Sequence, residues 1–162
     1  MADRIIHSPL STFYKWEKQQ ADTMYLRQPI NGEWHTYTWK QCGEQVRRMA
    51  AYLQSLNYPP GSRIAILSKN CVHWMLSDYA IWMAGHISVP MYPNMAPTTV
   101  KQILEHSESK LLFVGKLDDW AYLKPGVPEG LPCIAFPFYG ITEYTNWDTI
   151  IERTAPITDD PD

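Results

Sequence analysis

Residues 59–93, PPGSRIAILSKNCVHWMLSDYAIWMAGHISVPMYP, place two short apolar runs on either side of a segment of helical length. Pro59, Pro60 and Gly61 break the chain, and Arg63 to Leu67 (RIAIL) is the kind of run that a strand buried on both faces requires. Cys71 to Ala84 is long enough for about four helical turns and ends at Gly85, a residue type that tolerates the left-handed conformation closing a helix. Val72, Trp74, Met75, Leu76, Tyr79, Ala80, Ile81, Trp82 and Met83 cover nearly its whole circumference, which predicts a helix largely removed from water. Ile87 to Met91 is the second strand. A strand, a crossover helix and a second strand of this kind form a β-α-β unit (63–91), and such a unit calls for a parallel sheet with helices on its faces.

The flanking sequence extends the same pattern. Ser8 or Ser11 can cap a first helix carrying Leu10, Phe13, Tyr14 and Trp16. Met24 to Ile30 and Glu33 to Thr38 are strand-like runs joined by Asn31-Gly32, the dipeptide of a tight hairpin turn, so a β-hairpin is expected over 24–38. Thr38 and Gln41 have capping-box spacing, and Cys42, Val46, Met49, Ala50, Leu53 and Leu56 then recur at helical steps along one face. Thr98 to His106 reads as an amphipathic helix, Leu111 to Val114 as a buried strand, Asp118 to Leu123 as a short helix and Cys133 to Phe136 as a further strand. Thr145 and Asp148 repeat the capping spacing before a last helix through Trp147, Ile150 and Ile151. Residues 1–153 therefore predict an α/β subdomain with a mainly parallel, Rossmann-like sheet between two helical layers and a β-hairpin near the start. The polar, proline-bearing 154–162 predict an exposed connector.

Composition narrows the function classes. Among 162 residues, 14 basic against 17 acidic side chains give a net charge of −3, far from the basic footprint of a nucleic-acid binder. Cys42, Cys71 and Cys133 form no CxxC pair and predict reduced thiols in a cytoplasmic protein. Met1 to Leu10 lacks the apolar core of a signal peptide, and no window approaches a spanning helix. Peripheral contact with a membrane surface stays compatible with the sequence.

Chemistry-bearing patterns are few. Ser68-Lys69-Asn70 follows the first strand of the central unit, where helix N-termini meet anions in doubly wound sheets. It reads either as a phosphate contact with Lys69 as counter-charge or, with more weight, as a helix cap by Ser68 or Asn70 beside a solvated lysine. GxGxxG, GxxxxGK[ST] and GxSxG are absent. His7, His35, His73, His86 and His106 lack HxxxH or HExxH spacing, and Trp74, Tyr79, Trp82 and Val72 read as core rather than as a stacking platform. No residue is assigned a catalytic, cofactor-binding or metal-binding role.

Gly61-Ser62-Arg63-Ile64-Ala65-Ile66-Leu67, Asn70, and Ala84-Gly85-His86-Ile87-Ser88-Val89-Pro90-Met91-Tyr92-Pro93 together resemble the N-terminal region of the AMP-forming acyl-CoA synthetases. Leu67-Ser68-Lys69-Asn70 and the later run Leu104 to Asp119 are most similar to bacterial long-chain fatty-acid CoA ligases. Ser62 departs from the family's usual Asp, at a turn position. The resemblance implies the incomplete N-terminal subdomain of the adenylate-forming fold, hence an N-terminal fragment of an acid-thiol ligase. The full-length enzyme would join a fatty acid to coenzyme A through an acyl-adenylate, using ATP and Mg. It also implies that the fragment alone binds no cofactor, is inactive, and self-associates through the face that later segments would cover. Two other readings stay open: a free-standing non-catalytic binding or scaffold module, and a fragment of an acyl-AMP ligase or a peptide-synthetase adenylation domain.

Overall fold

A computed structural model describes residues 7–162. The expectation drawn from Met1 to Leu10 lies mostly outside the described residues. Helix α1 (Pro9–Gln19) starts at Ser8, whose hydroxyl accepts from the Ser11 amide. Strands β1 (Met24–Ile30) and β2 (Glu33–Thr38) form the antiparallel hairpin, turned at Asn31 and Gly32 with φ of 50° and 84°. Both turn residues sit in the left-handed region that Asn and Gly tolerate, as the hairpin signal requires. Helix α2 (Trp39–Ser55) follows at once, closed by the reciprocal Thr38–Gln41 capping box.

The remaining elements build a five-stranded parallel sheet from β3 (Arg63–Leu67), β4 (Ile87–Met91), β5 (Leu111–Val114), β6 (Cys133–Ala135) and β7 (Thr145–Asn146), in the order β4-β3-β5-β6-β7. Pro90, which cannot donate to a ladder, is tolerated because β4 is an edge strand. The connecting helices are α3 (Val72–Met83), α4 (Pro97–His106) and the short α5 (Trp120–Leu123), and α6 (Trp147–Arg153) follows the last strand. Gly85 follows α3 at φ 80°.

Two apolar cores lie on opposite faces of this sheet. Ile64, Ile66 and Phe113 point to the face covered by α1, α2, α3 and α6, while Ala65, Leu67, Leu112 and Val114 point to the face covered by α4 and α5. Trp147 is fully buried in the first core and donates its indole N–H to Gln45 Oε1 at 3.0 Å. No helix among the described residues is long and apolar enough to cross a membrane.

Helix α3 is largely buried, as its apolar circumference predicts: no residue from Val72 to Met83 is exposed, and Trp74, Met75, Tyr79 and Trp82 are half-buried. Two local expectations differ from the structure. Thr145 belongs to β7, and α6 is capped by Asn146, whose side chain accepts from the Asp148 amide. Residues 154–162 take no regular structure yet are held against α1 and α2. Arg47 bridges Glu17 Oε2 at 2.9 Å and Asp160 Oδ1 at 2.6 Å and donates to the Asp159 carbonyl, while Tyr14 donates to the Pro161 carbonyl. Arg48 donates to the Thr154 carbonyl at 2.8 Å.

His73 sits between the rings of Trp147, Phe136 and Phe138, and its Nδ1 has no hydrogen-bond partner among the described residues. Burial pushes its imidazolium down from 6.5 to about 4. Between those values the unfolded chain takes up a proton that the folded one refuses, so stability present above pH 6.5 is lost as pH falls toward 4. Asp78 and Asp148, whose carboxyls burial pushes up, act in the opposite direction, so the comparison must be made with a variant. Urea denaturation should show the natural chain losing up to about 3 kcal/mol more over that range than His73→Phe; parallel curves would contradict the assignment.

Candidate functional site

The strand order defines where a ligand can enter. From β3 the chain passes through α3 to β4 on one side, then crosses through α4 to β5 on the other side. The carboxyl ends of β3 and β5 therefore flank the switch point of the sheet, the place where doubly wound folds open a crevice. Ser68-Lys69-Asn70 leaves β3 there and Gly115-Lys116 leaves β5.

These two exits are tied into one knot. The Gly115 amide donates to the Leu67 carbonyl at 3.0 Å and the Lys69 amide to the Lys116 carbonyl at 2.8 Å. The buried Ser68 hydroxyl accepts from the Lys116 amide at 2.9 Å and donates to the Lys69 carbonyl at 2.7 Å. A Cβ at Gly115 would lie 2.3 Å from Phe136 and 2.5 Å from Ser68 Oγ, so only glycine lets the strands' exits approach this closely.

The expected cap is absent from this loop. Cys71 is the N-cap residue of α3 without a side-chain cap bond, and the Val72 amide donates instead to Gln28 Oε1, reaching in from β1 at 2.7 Å. Neither Ser68 nor Asn70 caps the helix, because Ser68 is consumed in the knot and the hairpin delivers Gln28 to the helix end. Gln28 is in turn held by the Tyr139 hydroxyl. An anion at the Val72 amide would have to displace Gln28 Oε1.

Around the knot lie two adjoining hollows of about 590 and 540 Å³ that share Asn70, Trp74 and Lys116. Pro90, Met91, Tyr92 and Pro93 wall the first; Leu26, Pro29 and Met75 wall the second. Lys69 is paired with Asp118, whereas the Lys116 ammonium has no ion-pair partner among the described residues. Apolar walls with one available ammonium suit an anionic group on an apolar body.

The triphosphate and Mg do not fit these residues as they stand. Ser68 and the start of α3 already have partners, and no group of three His, Cys, Asp or Glu able to hold a metal occurs among the described residues. The histidines stand apart: His73 and His86 are buried, while His7 and His106 are exposed. Burial pushes the Cys42 thiol up to about 12 and Cys133 up to about 11, away from the nucleophilic thiolate.

Comparison with known proteins places this architecture. The family model described as AMP-binding enzyme matches residues 13–135, and the chain belongs to that family. A long-chain-fatty-acid–CoA ligase of Mycobacterium bovis is 30% identical over 100 residues, covering 62% of this chain and 17% of the relative. A peroxisomal trans-cinnamate:CoA ligase of Petunia hybrida is 34% identical over 88 residues, covering 54% and 15%. The chain thus spans about a sixth of the length of these relatives. The crystal structure of a benzoate CoA ligase from Burkholderia xenovorans superposes with a TM-score of 0.76 at 16% identity, over 96% of this chain and 30% of that one. It has the same fold, which is all that such identity conveys.

If the β3 and β5 exits depend on their close approach, Gly115→Ala should lower stability by about 1–3 kcal/mol in urea denaturation, the usual range for overpacking. An unchanged midpoint would show that Phe136 and Ser68 yield freely.

Proposed function

We propose that this member of the AMP-binding enzyme family serves as the N-terminal α/β subdomain of an acyl-CoA ligase acting on long-chain fatty acids, with residues 1–153 as the folded unit and 154–162 leading onward. In that reaction the fatty carboxylate attacks the α-phosphate of ATP and releases pyrophosphate; the coenzyme A thiol then displaces AMP from the acyl-adenylate. The observation that carries this reading is the apolar cleft at the β3/β5 switch point, with Lys116 lining both of its hollows. The Mycobacterium bovis relative supports the fatty-acid class.

The chain's own part is positional. Its sheet holds one wall of a cleft, Lys116 supplies a counter-charge, and the described residues bring together no triphosphate site. Charge stabilisation carries phosphoryl chemistry, so the isolated chain is inactive in this reading. A cytoplasmic setting goes with it, supported by the free thiols of Cys42, Cys71 and Cys133. The Petunia hybrida relative favours a second reading, in which the acid is aromatic.

Pyrophosphate exchange into ATP decides between these. The protein expressed from its whole reading frame should show exchange that depends on palmitate and responds little to cinnamate or benzoate, and residues 1–162 alone should show none. Exchange by residues 1–162, or a preference for the aromatic acids, would contradict the corresponding part. The same reading includes self-association of the isolated chain, supported by Ile87 and Tyr92, 51% and 75% exposed in and beside the edge strand β4. Sedimentation should give a mass that rises with concentration; a concentration-independent monomer would refute it.

A further inference from the structure

The strap formed by residues 154–162 is held more firmly than its composition explains. It has no regular structure, and Ile157 supplies its contact with the apolar core. Fixing a polar segment of this kind costs conformational entropy that so little apolar burial does not offset. Charged contacts supply the rest, and they converge on Arg47, whose side chain is 13% exposed. One edge of its guanidinium faces Glu17, with Nε 3.4 Å from Oε1 and Nη2 2.9 Å from Oε2. The same Nη2 donates to Asp160 Oδ1 at 2.6 Å, and Nη1 donates to the Asp159 carbonyl at 2.7 Å. Lys18 takes the other oxygen of Asp160 at 2.6 Å, so two cations face two carboxylates.

Helix α2 is shaped to admit this cluster. A Cβ at Gly43, one turn before Arg47, would collide with Glu17 Oε1, so the Glu17 carboxylate reaches Arg47 across a point of the helix that carries no side chain. Glycine inside a helix is destabilising relative to alanine, and here that cost makes room for the pair. The strap then runs back along α1, where Asp160, Pro161 and Asp162 meet Lys18, Tyr14 and Ser8 in turn. Arg48 and Tyr14 hold the carbonyls of Thr154 and Pro161, which any sequence offers in any register. Arg47 and Lys18 hold a carboxylate, which Asp160 offers at one position only. We propose that Arg47 is a positioning residue: backed by Glu17 and gripping Asp160, it sets the register of the strap on α1 and α2 and so the point from which the chain beyond Asp162 departs. The consequence for catalysis rests on the ligase reading, in which the groups that hold ATP lie beyond Asp162 and a slipped strap misplaces them.

Two readouts keep the anchor and the ligase reading apart. In residues 1–162, the ¹H–¹⁵N heteronuclear NOEs of 157–160 should match those of α1 and α2, and Arg47→Met and Asp160→Ala should each drop them toward the values of a free tail while the helices keep theirs. Should Arg47→Met fail to fold because it strands the Glu17 carboxylate, Asp160→Ala decides, since it leaves the Arg47–Glu17 pair whole. Low values in the natural chain, or values unchanged in the variants, would overturn the proposal. In the protein expressed from its whole reading frame, each variant should lower kcat for palmitate-dependent pyrophosphate exchange on the order of tenfold, because small misplacements of reacting groups have effects of that size or more. The KM for palmitate should stay within about twofold. Arg47→Lys, which keeps the charge without the fork, should fall between the natural protein and Arg47→Met. The double variant should be no slower than the slower single one, since both remove the same contact. Unchanged kcat in the variants, or losses that add, would overturn the positioning role. Absence of exchange by the natural protein would contradict the ligase reading, and the NOEs would then decide the anchor.

Discussion

Strand β3 is the constraint on which the rest of the molecule depends. Ile64, Ala65, Ile66 and Leu67 are all fully buried, and because successive side chains alternate across a strand they feed both cores: Ile64 and Ile66 one, Ala65 and Leu67 the other. Full burial of an Ile or Leu contributes about 1.5–3 kcal/mol, and three of these four residues are Ile or Leu. A polar residue at any of them would face a core, since neither side of β3 meets water. The order β4-β3-β5 puts a partner on each edge as well, so β3 has no free backbone groups to misuse.

The candidate site is a consequence of that central position. Where β3 ends, its chain must leave the sheet beside β5, and the Ser68 hydroxyl together with the close approach at Gly115 fixes how the two exits pass each other. Lys116, which lines both hollows, has no ion-pair partner among the described residues. The hairpin completes the arrangement from a distance, because Gln28 both caps α3 and contributes to one wall. Hydrogen bonds that look like candidate chemistry in the sequence are therefore committed to scaffolding, and the reactive potential of the cleft rests on shape and one cation.

What could be read from the sequence was what local physics writes into consecutive residues. Asn31-Gly32 turns the hairpin, Thr38 and Gln41 close the capping box, and the apolar run Arg63 to Leu67 is the buried strand it resembles. The family resemblance carried by the residues around β3 and β4 agrees with the AMP-binding match over 13–135. Long-range partners were not legible. Gln28 reaches the Val72 amide across 44 positions, and Arg47 holds Asp160 across 113; no local pattern marks either. Strand β7 escaped because two residues carry no periodicity.

Native-state hydrogen exchange shows whether β3 and its junction with β5 hold the fold and form the cleft. The backbone amides of Ala65 to Leu67 and Leu112 to Val114, with that of Gly115, should be the slowest to exchange and open only with global unfolding. Amides of the β1–β2 hairpin should exchange through smaller local openings. Protection in the hairpin equal to that in β3, or early exchange at Gly115, would show that the molecule is held together elsewhere.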